Sequence, residues 1–142
     1  MIVLDSNVVS ELMRSAPDPG VSAWLAGCSG EQLATTAITV AEIAAGIEVL
    51  PAGTRRRGLL GLWQQVLADG FGDRIFAFDK DAALVYGELF ARCRRAGKPS
   101  SPFDLQIVSI ARIRGCAVAT RNVRHFEDCG VEVINPWSAA PA

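Results

Sequence analysis

Three acidic residues, Asp5, Glu42 and Asp104, stand where a chain of alternating strands and helices would bring them together. Asp5 follows the apolar run Ile2-Val3-Leu4, which places it at the carboxyl end of a buried strand. Glu42 falls in the first turn of a helix opened by Thr39, and Asp104 in the first turn of one opened by Ser101-Pro102. Carboxylates that converge repel one another unless a cation neutralises them. Hard divalent cations such as Mg²⁺ or Mn²⁺ take carboxylate oxygens together with water and substrate phosphate. The chemistry open to this set is therefore metal-assisted hydrolysis. A local explanation competes with it. Glu42 and Asp104 each stand three residues after a Thr or Ser, the spacing of a capping box, where the helix dipole stabilises an acid. Asp5 has no capping role that Ser6 or Asn7 could not fill.

The elements expected to position these residues run as follows. After the strand Ile2–Leu4, Val8 to Met13 has helical spacing, and Pro17-Asp18-Pro19 interrupts it. Asp18 as N-cap and Pro19 at the first position then open a short helix carrying Val21, Trp24 and Leu25. A second strand is expected over Leu33–Ala37, then helices from Thr39 towards Leu50 and from Arg55 to Leu67. A glycine-containing turn leads to a third strand at Arg74–Phe78. Asp79 to Ala96 reads as a helix with Leu84, Tyr86, Leu89, Phe90 and Cys93 facing inward, stopped by Gly97. The helix from Ser101 carries Ile107, Val108, Ile110 and Ala111 to Gly115, and strands follow at Ala117–Thr120 and Val131–Ile134. Short apolar strands alternating with helices specify an α/β fold, a three-layer sandwich with a mainly parallel central sheet. Ligands of such folds collect beyond the carboxyl ends of the strands. No repeat or linker divides the chain, so one domain over residues 1–137 with a short tail at 138–142 is expected.

The chain's 142 residues are half hydrophobic, enough to bury a core without disulfide or metal staples. That hydrophobicity is high for one small domain and points to apolar surface covered by another subunit. Cys28, Cys93, Cys116 and Cys129 are scattered without zinc-ligand spacing, which fits a reducing cytoplasm and idle thiols. Asp5 interrupts the opening apolar run too early for a signal peptide, and no apolar stretch is long enough to span a bilayer. A net charge of −1 argues against a uniformly basic surface. Most of the basic residues are nonetheless clustered arginines, at Arg55–Arg57, Arg92–Arg95, Arg112–Arg114 and Arg121–Arg124, and only Lys80 and Lys98 are lysines. Arginine forks suit phosphate, although each cluster alone also reads as a solvated helix face.

The blocks LDSNVVSEL, ITVAEIAAG, PFDLQIVSIA, AVATRNVRHF and VEVINPW follow one another from Leu4 to Trp137. In order and spacing they closely resemble PIN-domain ribonucleases and, within them, the VapC-type toxins of bacterial toxin–antitoxin pairs; the resemblance begins at Ile2. It implies a PIN-like fold, a site binding Mg²⁺ or Mn²⁺, hydrolysis of RNA, a homodimer, and inhibition by a small cognate antitoxin. Position by position, Asp5, Glu42 and Asp104 match the family's first three acids, and Thr120 its hydroxyl residue beyond the fourth strand. The family's fourth acid is absent: Asn122 stands at one of its usual positions and His125 at the other. Asn122 can coordinate through its carbonyl oxygen or hold a water, and His125 can ligate Mn²⁺ or touch phosphate.

On this reading Asp5 and Asp104 are the main metal ligands, and Glu42 completes the site directly or through water. Thr120 and Asn122 set geometry by hydrogen bonding, while Arg121 and Arg124 hold the RNA backbone. A haloacid-dehalogenase-type phosphatase also places an aspartate after its first strand, but it needs a second aspartate two residues on, where this chain has Asn7. The other alternative is a binding module that keeps the fold and partner surface while the missing fourth acid has weakened catalysis.

Overall fold

The structure is a computed structural model that describes residues 1–98 and 100–139; the last three residues of the expected tail lie outside the described residues. Five strands, β1 (Ile2–Leu4), β2 (Leu33–Thr36), β3 (Ile75–Phe76), β4 (Ala117–Ala119) and β5 (Val133–Ile134), form one sheet in the order β3-β2-β1-β4-β5. Every pairing is parallel, with Ile2 beside both Leu33 and Ala117, and Val118 beside Val133. The helices are α1 (Ser6–Leu12), α2 (Pro19–Ala26), α3 (Ala37–Glu48), α4 (Thr54–Gln65), α5 (Lys80–Arg95) and α6 (Pro102–Ile113).

The two-residue period of a strand divides the core into two layers. Val3 and Val118 point to one side, where Ala82 and Leu89 of α5 and Leu105, Val108 and Ala111 of α6 cover them. Leu4 and Ala119 point to the other, against Val8 and Val9 of α1, Trp24 of α2, Ile43 and Ile47 of α3 and Trp63 of α4. The expected three-layer sandwich is thus built from α5 and α6, the sheet, and α1 to α4.

Several local expectations are corrected. On α5 the inward stripe is Ala82, Val85, Tyr86, Leu89 and Cys93, whereas Leu84 and Phe90 are 66% and 43% exposed. A small alanine competes poorly with leucine as a hydrophobic signal, yet Ala82 and Leu89 lie seven residues apart on one helical face and Leu84 does not. Beyond α4 the chain continues as a π-helical stretch, Val66–Phe71, before the turn. Arg74 anchors that stretch by donating from Nε to the Leu33 carbonyl (2.8 Å) and from a terminal nitrogen to that of Gly70 (2.8 Å). This arginine is structural.

Candidate active site

β1 is the central strand, and the chain's winding reverses between it and β4, so a crevice opens at the carboxyl ends of these two strands. Asp5, the first residue beyond β1, is tied across it: its amide donates to the Ala119 carbonyl at 2.9 Å. Contrary to expectation, Asp5 is itself the N-cap of α1, its Oδ1 accepting from the Ser6 amide at 2.8 Å. Its other oxygen accepts from the Thr120 hydroxyl at 2.8 Å and from the Asn7 side-chain amide at 3.2 Å. The residue is only 3% exposed. Burial pushes its pKa from the ordinary 3.8 up to about 6; the bonds from Thr120 and Ser6 oppose that shift, and the negative charges of Asp104 and Glu42 add to it.

Glu42 reaches the crevice from the second turn of α3. Thr36 caps that helix, accepting from the Thr39 amide at 3.2 Å, so the helix begins before Thr39 and the capping box proposed for Thr39 and Glu42 does not form. The hydroxyl at the strand end closes the turn first. Helical side chains tilt towards the N-terminus, and Glu42 Oε1 accepts from the Ser6 hydroxyl at 2.8 Å. Ser6 thereby joins the first acid's helix to the second acid.

Asp104 occupies the expected place in the first turn of α6, but the N-cap Ser101 makes no side-chain capping bond, so this capping box is absent too. Asp104 Oδ2 lies 2.6 Å from His125 Nδ1, a distance that places a proton between them. His125 is 49% exposed on its side chain and Asp104 14%. The histidine at one of the fourth acid's usual positions is therefore in direct contact with the third acid.

Thr120 joins the strands as well as binding Asp5. Its amide donates to the Ile134 carbonyl at 2.9 Å, and its hydroxyl accepts from the Asn122 amide at 3.0 Å. Asn122 is exposed, and its side chain bonds to none of the described residues. Arg124 is exposed, and Arg121 lies over the Trp137 ring, 4.9 Å from its centroid. Asn7 was missed as a site residue. It donates to Asp5 and, at 3.3 Å, to Thr120, and accepts from the Arg121 amide at 3.1 Å. Its signal was the Asp-Ser-Asn spacing, which served only to set aside a phosphatase.

An all-parallel α/β sandwich with an acidic crevice at its topological switch point defines a class of protein, and the comparisons place this chain in it. Residues 2–130 match the PIN domain model. The chain is 39% identical over 140 residues to VapC ribonuclease Y4jK of Sinorhizobium fredii, a match covering 99% of this chain and 100% of that one. It is 35% identical over 137 residues to toxin FitB of Neisseria gonorrhoeae, covering 96% and 99%. The crystal structure of FitAcB from Neisseria gonorrhoeae superposes with a TM-score of 0.91 at 34% identity, covering 98% and 100%. The chain belongs to the PIN-domain family and, within it, to the VapC-type toxins. Among the described residues no helix is long and apolar enough to cross a membrane.

Proposed function

We propose that this chain is the endoribonuclease toxin of a toxin–antitoxin pair, and that it hydrolyses RNA phosphodiester bonds in the crevice beyond β1 and β4 with Mg²⁺ or Mn²⁺. The observation that carries the reading is Asp5: a buried carboxylate, raised in pKa, under the repulsion of two further carboxylates. A cation is the group that relieves all three charges at once.

The residues present fit such an ion. All are hard oxygen donors, and neither Glu42 Oε2 nor the second Asp104 oxygen accepts a hydrogen bond from the described residues. Among the described residues no group of three or more His, Cys, Asp or Glu side chains stands close enough to hold a metal ion on its own. Mg²⁺ commonly takes one or two protein carboxylates and completes its shell with water and substrate phosphate. Asp5 and Asp104 would hold it, with Glu42 direct or through water. When bound it supplies an activated water and charge compensation at the scissile phosphate.

The chain's own residues do the rest. Thr120, Asn7 and the Ser6 amide fix the orientation of Asp5, and Ser6 holds Glu42. His125 holds Asp104 on the side where the fourth acid is missing. Arg124 is free to meet the RNA backbone, as is the outer edge of Arg121. Residues 1–137 act as one domain in this reading, in the cytoplasm, restrained by a small cognate antitoxin. Leu84 and Phe90 of α5 and Phe103 of α6, each at least 43% exposed, supply apolar surface for a homodimer.

RNA cleavage by the wild type should require Mg²⁺ or Mn²⁺ and disappear in Asp5→Asn and in Asp104→Asn while both variants stay folded. Cleavage that survives both substitutions and excess chelator removes the assignment. The missing fourth carboxylate favours one alternative, a binding module without catalysis; a folded wild type that cleaves nothing at any metal concentration would establish it.

A further inference from the structure

We infer that Arg121 and Trp137 form a stacking subsite for one base of single-stranded RNA, the base lying on the outer face of the guanidinium that the indole backs. The inference rests on the ribonuclease reading above and deepens it, because it adds recognition of a base to recognition of the backbone.

The two residues come from different strand ends, and each is tied at its backbone amide. Thr120 is bonded to Ile134, so the segment after β4 runs beside the segment after β5. Arg121 is fixed at its amide by Asn7, and one residue earlier the Thr120 hydroxyl touches Asp5. Trp137 sits in a turn closed by Asn135, whose side-chain oxygen accepts from the Trp137 amide at 3.0 Å and whose carbonyl accepts from Ala139 at 2.8 Å. The indole is half-buried, packed against the core layer of α1 to α4. Arg121 lies over the ring, 4.9 Å from its centroid, and is itself exposed. A guanidinium lying over a ring leaves its outer side to solvent, and guanidinium planes, like aromatic rings, accept unstacked bases of single strands. A residue serving phosphate alone needs only charge, which lysine supplies as well.

Binding is measured in the Asp5→Asn background, where RNA stays intact, with a mixed-sequence single-stranded RNA and an oligomer of equal length carrying abasic sugars. The base-bearing strand should bind on the order of ten-fold more tightly. Arg121→Lys, which keeps the charge and lies outside the core, should bring the two strands close to equal, and so should Trp137→Leu, with a thermal melt reporting its folding. Trp24 and Trp63 are 4% and 3% exposed, so quenching of emission by the base-bearing strand alone should report Trp137. In the Asp5-intact protein both substitutions should raise KM for cleavage by a similar factor and leave kcat nearly unchanged. Equal affinity for the two strands in the Arg121, Trp137 protein overturns the subsite. So does a preference that survives Arg121→Lys, or a loss that falls equally on both strands. A protein that binds neither strand and cleaves no RNA overturns the ribonuclease reading, and the subsite with it.

Discussion

The two sides of the crevice are built differently. On the side of β1 and β4, Asp5, Asn7 and Thr120 bond to one another and to backbone, and both Asp5 oxygens are engaged. On the outer side, Glu42 and Asp104 each reach in from a helix with one oxygen held, by Ser6 and by half-exposed His125 respectively. The inner side is an anchor whose geometry the sheet dictates. The outer side is a pair of arms whose partners a cation and a phosphate can replace. Such a division suits an ion that is shared with substrate rather than caged by protein.

The largest effect should come from the anchor itself. With a folded pKa about 6 against an unfolded value near 3.8, Asp5 keeps its proton longer in the folded state, so its contribution to stability is complete below about pH 4 and is lost as pH rises through 6. The expected loss is on the order of 3 kcal/mol. Denaturant unfolding in chelator should show it in the wild type and a flatter profile across that window in Asp5→Asn. Added Mg²⁺ should restore stability at neutral pH to the wild type alone. Identical pH profiles for the two proteins would show that Asp5 is not the strained carboxylate.

Next in size is Thr120→Val, which strips one donor from Asp5 and leaves the Asn122 amide without its acceptor. It should cost about 1–3 kcal/mol, move the Asp5 titration, followed by NMR, above its present value, and weaken metal binding about 10–100-fold. Asn7→Ser, within the same group, should be milder, about 1 kcal/mol; a melt unchanged from wild type would mean the three Asn7 contacts are idle. The smallest effects belong to the outer arms. His125→Ala should leave stability within about 0.5 kcal/mol and lower the Mg²⁺ needed for half-maximal cleavage, because it frees Asp104. Asn122→Asp, which puts a carboxylate where the family has its fourth acid, should tighten cation binding, measured by calorimetry; an unchanged titration would show that the fourth acidic role is empty.

Hydrophobic period and punctuation by themselves determined much of this protein. Apolar runs bounded by glycine, proline and polar residues announce the strands, and the pattern alone puts the acid directly after Ile2-Val3-Leu4 at a strand end. Where helices begin was less legible, since Thr36 and Thr39 are both good caps and only the end of β2 decides between them. Burial on α5 escaped for a related reason: the helix's neighbours, not side-chain size, decide that Ala82 faces the core and Leu84 the solvent. What tertiary structure alone decided is the company each acid keeps. Thr120 lies 115 residues from Asp5 and His125 lies 21 from Asp104, so no local rule couples them. Parallel pairing of β1 with β4 brings the first pair together, and the return of the chain past α6 brings the second; hydrogen bonds and charge act over a few ångströms of space, whatever the separation along the chain.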